Sequence, residues 1–116
     1  MNIQIFGTKK CKETKKAERF FKERRIKFQS IDLNKKAMSL GELNSVLREI
    51  SLEDLVDDTH PLYHDSLYPY TSDTDGKKGI LQEYPELIKT PVVRNQKKAT
   101  LGYQPDTWMT WINDDQ

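Results

Sequence analysis

The residues best equipped for chemistry gather around Cys11, the only cysteine among 116 residues, in the run Thr8-Lys9-Lys10-Cys11-Lys12-Glu13-Thr14. A thiol attacks only as thiolate, and a free cysteine, with a pKa of about 8.5, is mostly protonated at neutral pH. Two features of the run favour the anion. It opens onto a helical pattern, so first-turn N–H groups face the sulfur and the helix dipole contributes ~0.3–1 kcal/mol to a nearby negative charge. Between residues 8 and 19, five lysines and Arg19 stand against Glu13 and Glu18, a local excess of four positive charges in a chain whose formal net charge is +1. Cys11 is therefore the candidate nucleophile, with Thr8, Lys10, Lys12 and Thr14 as candidate substrate-binding neighbours. With no second cysteine to close an internal disulfide, a mixed disulfide at Cys11 would need an external thiol to resolve it.

Other constellations are weaker. His60 and His64 are four apart with Asp57, Asp58 and Asp65 nearby, a spacing that would suit a metal on a helix. Pro61 and the loop-like composition predict surface histidines instead, and no metal site is expected. Tyr63, Tyr68, Tyr70 and Tyr84 are expected to pin an irregular segment onto the domain, and Trp108 and Trp111 to fill the core.

The elements that must hold Cys11 in place follow from periodicity. Residues 2–6 alternate, with Ile3 and Ile5 on one face, and meet Gly7, predicting a short strand and a turn. Over 12–25, Ala17, Phe20 and Phe21 recur at helical spacing with no internal Gly or Pro. Residues 26–33 alternate again, giving strand, helix, strand, most easily joined as a right-handed parallel unit. Ser39 and Glu42 form a capping-box pattern before an apolar stripe of Leu40, Leu43, Val46, Leu47 and Ile50, and Ser51 with Asp54 repeats the device for a shorter helix. Residues 57–76 read as an irregular surface excursion. A short helix is expected over 78–82, a hairpin with strands near 91–94 and 98–101, and a last helix with Pro105 at its first position.

Bulk properties limit the function classes. The length suits one domain over 1–116, and 35% hydrophobic with 32% charged residues suits a soluble globule. Near-neutral charge argues against a generally basic nucleic-acid binder. No apolar run approaches a membrane span or signal peptide. A lone cysteine fits a reducing cytoplasm.

The segments FGTKKCKETKKAERFF, ISLEDLVD, LIKTPVV and LGYQP, spread over nearly the whole chain, resemble the family that joins glutaredoxin-linked arsenate reductases with the Spx-type transcription regulators. The resemblance implies an α/β, thioredoxin-like fold of the glutaredoxin type: a four-stranded mixed sheet with flanking helices and a helical insertion, about 39–88, before strand three. It further implies a cysteine at the N-terminus of helix one facing a cis proline, here Cys11 and Pro91, and a backbone at Thr90 able to pair with an extended glutathione or peptide substrate. Two departures stand out. Thr14 occupies the place of the second cysteine in the CxxC pair of many Spx-type regulators. Asp57, Thr90 and Gln104 fall where arsenate reductases of this kind place three oxyanion-binding arginines, removing both charge and bidentate geometry.

Two functions follow from the resemblance. One is a single-cysteine thiol oxidoreductase without a bound cofactor, with Cys11 as nucleophile, Thr90 and Pro91 as substrate platform, and glutathione or a protein thiol as partner. The alternative is an Spx-like regulator or non-enzymatic interaction protein that binds RNA polymerase rather than nucleic acid directly.

Overall fold

The computed structural model describes residues 1–115. The first strand, β1 (Ile3–Gly7), leads into helix α1 (Lys12–Glu23) and strand β2 (Phe28–Asp32). β2 lies parallel to β1, as the crossover helix requires. Strands β3 (Val92–Asn95) and β4 (Lys98–Leu101) form an antiparallel hairpin whose first strand joins the other side of β1, giving the order β2-β1-β3-β4. Helix α5 (Pro105–Asp114) closes the chain with Pro105 at its first position, where a missing N–H costs nothing. This is the mixed, thioredoxin-like sheet expected from the sequence.

The alternation in β1 divides the core. Ile3 and Ile5 face one side with Ala17, Phe20 and Phe21 of α1, Val93, and Trp108 and Trp111 of α5. Phe6 and Val92 face the other side, which is covered by the insertion through Met38, Leu43, Val46, Leu55, Leu81 and Leu87.

The insertion contains helices α2 (Leu40–Leu47), α3 (Leu52–Leu55) and α4 (Thr74–Glu83), with single 3-10 turns at Tyr68–Tyr70 and Pro85–Leu87. The capping box at α2 is complete: the Glu42 N–H donates to Ser39 Oγ (3.1 Å) and the Ser39 N–H donates to Glu42 Oε1 (2.9 Å). Ser51 caps α3 through the Asp54 N–H at 3.2 Å.

Three expectations are corrected. Leu40, assigned to the apolar stripe of α2, is 50% exposed because it begins the helix outside the packed arc. Helix α4 starts at Thr74 rather than at residue 78, capped by Asp73, whose carboxylate accepts from the Gly76 N–H at 2.7 Å. Residues 57–73 are irregular apart from the turn at Tyr68–Tyr70, but part of the segment belongs to the interior: Ser66 and Tyr68 are buried, with Ser66 Oγ donating to the Tyr63 carbonyl (2.6 Å) and accepting from the Tyr68 N–H (3.1 Å). Of the four tyrosines, Tyr63, Tyr68 and Tyr84 pin the segment as expected, whereas Tyr70 is exposed.

Candidate functional site

Cys11 is the N-cap of α1, in extended backbone geometry, with its N–H donating to the Thr8 carbonyl at 3.2 Å. A helix N-cap ordinarily offers a side-chain oxygen to the N–H groups two and three residues on. Here a half-buried sulfur stands in that place. As a neutral thiol it makes no capping hydrogen bond and instead lies 3.6 Å from the Thr90 carbonyl, to which it donates. As a thiolate it is an acceptor. Burial pushes the Cys11 thiol up, but the hydroxyls of Thr14 and Thr90 and the N–H groups of Thr14 and Glu13 outweigh that cost and hold it below its ordinary value.

Thr14 is the least expected part of this arrangement. Only 5% of it is exposed, and its hydroxyl has no hydrogen-bond partner apart from the sulfur it serves on ionisation. Gly7 makes that position available, because a Cβ there would lie 2.3 Å from Thr14 Cγ2 and 2.4 Å from its Oγ1. The side chain is thus wedged against the end of β1, and its small exposed part lies on a pocket of about 210 Å³ shared with Thr8, Lys9 and Glu18. The Thr90–Pro91 peptide bond is cis, and the Pro91 carbonyl accepts from the Gly102 N–H at 2.8 Å.

A cleft of about 460 Å³ opens beside Thr90, whose carbonyl is the sulfur's partner; Cys11 itself is not in its wall. Thr8 and Lys10 line it from the loop before α1, and Asp57, His60, Glu86 and Lys89 line it from the insertion. Lys12 is exposed on α1 and lies outside it. Asp57 and Thr90, two of the three positions aligned with arginines, share this cleft; Gln104 stands apart, donating to the Leu101 carbonyl at 3.1 Å. The Thr59 hydroxyl, 2.6 Å from the Asp57 carboxylate, holds that group below its usual range against partial burial, helped by the Thr59 N–H and by His60 and Lys89 nearby. His60 Nδ1 accepts from the Leu62 N–H at 3.1 Å, so that nitrogen is committed to its own turn. Among the described residues no three His, Cys, Asp or Glu side chains gather as metal ligands.

His60 and Lys89 were not among the residues singled out for the site. Nothing local marks them; only the packing of the insertion against the Cys11 loop brings them there.

The ArsC family model matches residues 6–111. The chain belongs to the ArsC family. It is 25% identical over 109 residues to the global transcriptional regulator Spx 2 of Oceanobacillus iheyensis, covering 91% of this chain and 80% of that protein. Solved structures with the same fold include an arsenate reductase from Vibrio cholerae (TM-score 0.80, 21% identity, 95% of this chain and 97% of that one) and a putative arsenate reductase from Yersinia pestis (TM-score 0.80, 19% identity, 94% and 99%). Among the described residues of this ArsC-family chain no helix is long and apolar enough to cross a membrane.

Proposed function

We infer that this ArsC-family protein is a single-cysteine thiol oxidoreductase. The observation that carries the reading is the buried Thr14 hydroxyl, which has no acceptor other than the Cys11 sulfur. A buried hydroxyl without a partner costs about 1–3 kcal/mol, and ionisation of Cys11 removes that cost.

The thiolate attacks one sulfur of a disulfide substrate, the disulfide bond breaks, and the other sulfur leaves as a thiolate that takes up a proton. A Cys11 mixed disulfide results. An external thiol, glutathione or a protein, then attacks the substrate sulfur and releases Cys11 as thiolate. The Thr90 backbone and the cleft beyond it hold the substrate chain, Lys10 and Lys89 offering charge to its carboxylates and Asp57 and Glu86 accepting from its nitrogens. Arsenate is a poor substrate on this reading, because Asp57 brings negative charge where an oxyanion needs a cation.

Alkylation of Cys11 by iodoacetamide as a function of pH tests the proposal. Reaction at pH 6 faster than that of a free cysteine is expected, and a rate equal to the unperturbed thiol would sink it. The second reading, a regulator of the Spx kind with RNA polymerase as its partner, is favoured by the similarity to Spx 2; co-purification of polymerase with Cys11→Ser would favour it over the enzyme.

A further inference from the structure

The charges of this protein are segregated. Residues 9–27 hold ten of its nineteen cations and three of its eighteen acidic groups, so this stretch carries a formal excess of seven positive charges and the rest of the chain an excess of six negative ones. All ten cations are exposed. The buried side of α1 is taken by Thr14, Ala17, Phe20 and Phe21, and at 100° per residue the opposite side presents Lys12, Lys15, Lys16, Arg19 and Lys22, a band about 15 Å long. Exposed Glu23 falls on the same side, with Glu13 and Glu18 flanking the band, so it holds five cations against one acidic group. Glu18 accepts from Ser30 Oγ at 2.6 Å, and among the described residues the one ion pair joins the Met1 amino group to Asp115 and includes none of the band's cations.

We propose that this face of α1 is the docking surface for an acidic protein that brings the thiol resolving the Cys11 mixed disulfide. The inference rests on the thiol-oxidoreductase reading and adds the partner's chemistry to it. The band begins one residue after Cys11, so a protein seated on it has its own thiol within reach of the sulfur. A compact acidic patch matches a band of this length. A long polyanion such as duplex DNA would extend past it over the part of the chain with six excess negative charges and be repelled. Opposite charge raises encounter rates by 10- to 1,000-fold, an effect that salt suppresses. The chemistry balances as a two-electron exchange: the partner's first thiolate attacks the substrate sulfur and expels Cys11, its second thiolate displaces the substrate thiol, and the partner leaves as a disulfide.

The test uses the full chain carrying a Cys11–glutathione mixed disulfide, with an acidic thioredoxin as probe and dithiothreitol as an uncharged control. Charge reversal of Lys15, Arg19 and Lys22 to Glu lies outside the site and should lower the rate with thioredoxin about tenfold or more at low salt. Any rise in the Cys11 pKa from the lost local charge acts equally on the dithiothreitol rate and on the alkylation profile, so docking is read from the thioredoxin rate relative to the dithiothreitol rate. Lys15→Gln, Arg19→Gln and Lys22→Gln combined should fall between, which guards against a folding defect in the reversal variant. A thioredoxin rate unaffected by charge reversal or by salt, an equal loss with dithiothreitol, or tighter binding of a 20-base-pair duplex than of the acidic thioredoxin overturns the docking proposal. A slow, unperturbed Cys11 in the alkylation arm overturns the oxidoreductase reading instead, so the two failures are distinguishable.

Discussion

Thr14 stands three residues after Cys11, its hydroxyl close enough to donate to a thiolate and buried from water. Thr14→Val keeps the shape and removes the donor. Hydrogen bonds to charged groups are worth about 1.5–3 kcal/mol, so alkylation of Cys11 at pH 6 should slow about tenfold, its apparent pKa should rise, and Thr14→Ser should recover part of the loss. Stability should respond in the opposite sense. A cysteine whose folded pKa is depressed contributes stability at pH values above its unfolded pKa and loses it as pH falls through the folded value. Below that range the valine variant, freed of an unpaired buried hydroxyl, should match or exceed the wild type in urea unfolding, and above it should be the less stable. Gly7→Ala should imitate the valine variant in reactivity, because the added methyl displaces Thr14 from its place beside the sulfur. At this scale the place of Cys11 at the start of α1 was legible from a local loop-to-helix signal, and its nearness to the cis Thr90–Pro91 bond from the family resemblance. The support role of Thr14 was hidden, since sequence alone does not say which way a first-turn side chain points, and His60 and Lys89 reach the cleft only through tertiary packing.

The elements were readable where local chemistry and periodicity agreed. The Ser39–Glu42 box sets the start of α2 in the sequence as it does in the structure. Helix α4 was under-read because Gly76 lowers helix propensity by about 1 kcal/mol relative to Ala, masking a start that Asp73 defines. The same geometry gives Gly76 a reason. A Cβ there would come within 2.9 Å of both Asp73 carboxylate oxygens and of Thr71 Cγ2. Gly76→Ala, ordinarily stabilising in a helix, is therefore expected to gain nothing or to destabilise, and Asp73→Ala to cost about 1 kcal/mol through loss of the cap. Chemical denaturation of each variant checks both, with an unchanged slope showing that the transition is still cooperative.

Across the whole molecule, the parallel β1–β2 pair and the β3–β4 hairpin followed from the pattern of elements, whereas their union in one four-stranded mixed sheet came from the family resemblance. The burial of Ser66 and Tyr68 followed from neither, as a polar composition reads as surface until the neighbouring helices are placed. The two faces of the sheet depend on different anchors, and on the α1–α5 face the anchor is Trp108. It is fully buried, packs on Phe20 and Phe21 with ring centroids 5.2 Å away in each case, and its Nε1 donates to Thr100 Oγ1 at 2.9 Å. It thereby ties α5 both to the helix that presents Cys11 and to the hairpin strand β4. Trp108→Ala should cost about 3–5 kcal/mol, a large share of the 5–15 kcal/mol typical of a domain. Thr100→Val leaves the rings in place and strands the indole N–H, at a cost of about 1–3 kcal/mol. If α1 is held as one rigid piece with this core, Trp108→Ala should also blunt the reactivity of Cys11 at temperatures where the variant is still folded, whereas Thr100→Val should lower stability and leave the alkylation profile unchanged; parallel unfolding and alkylation measurements on the two variants separate global loosening from a local lost hydrogen bond.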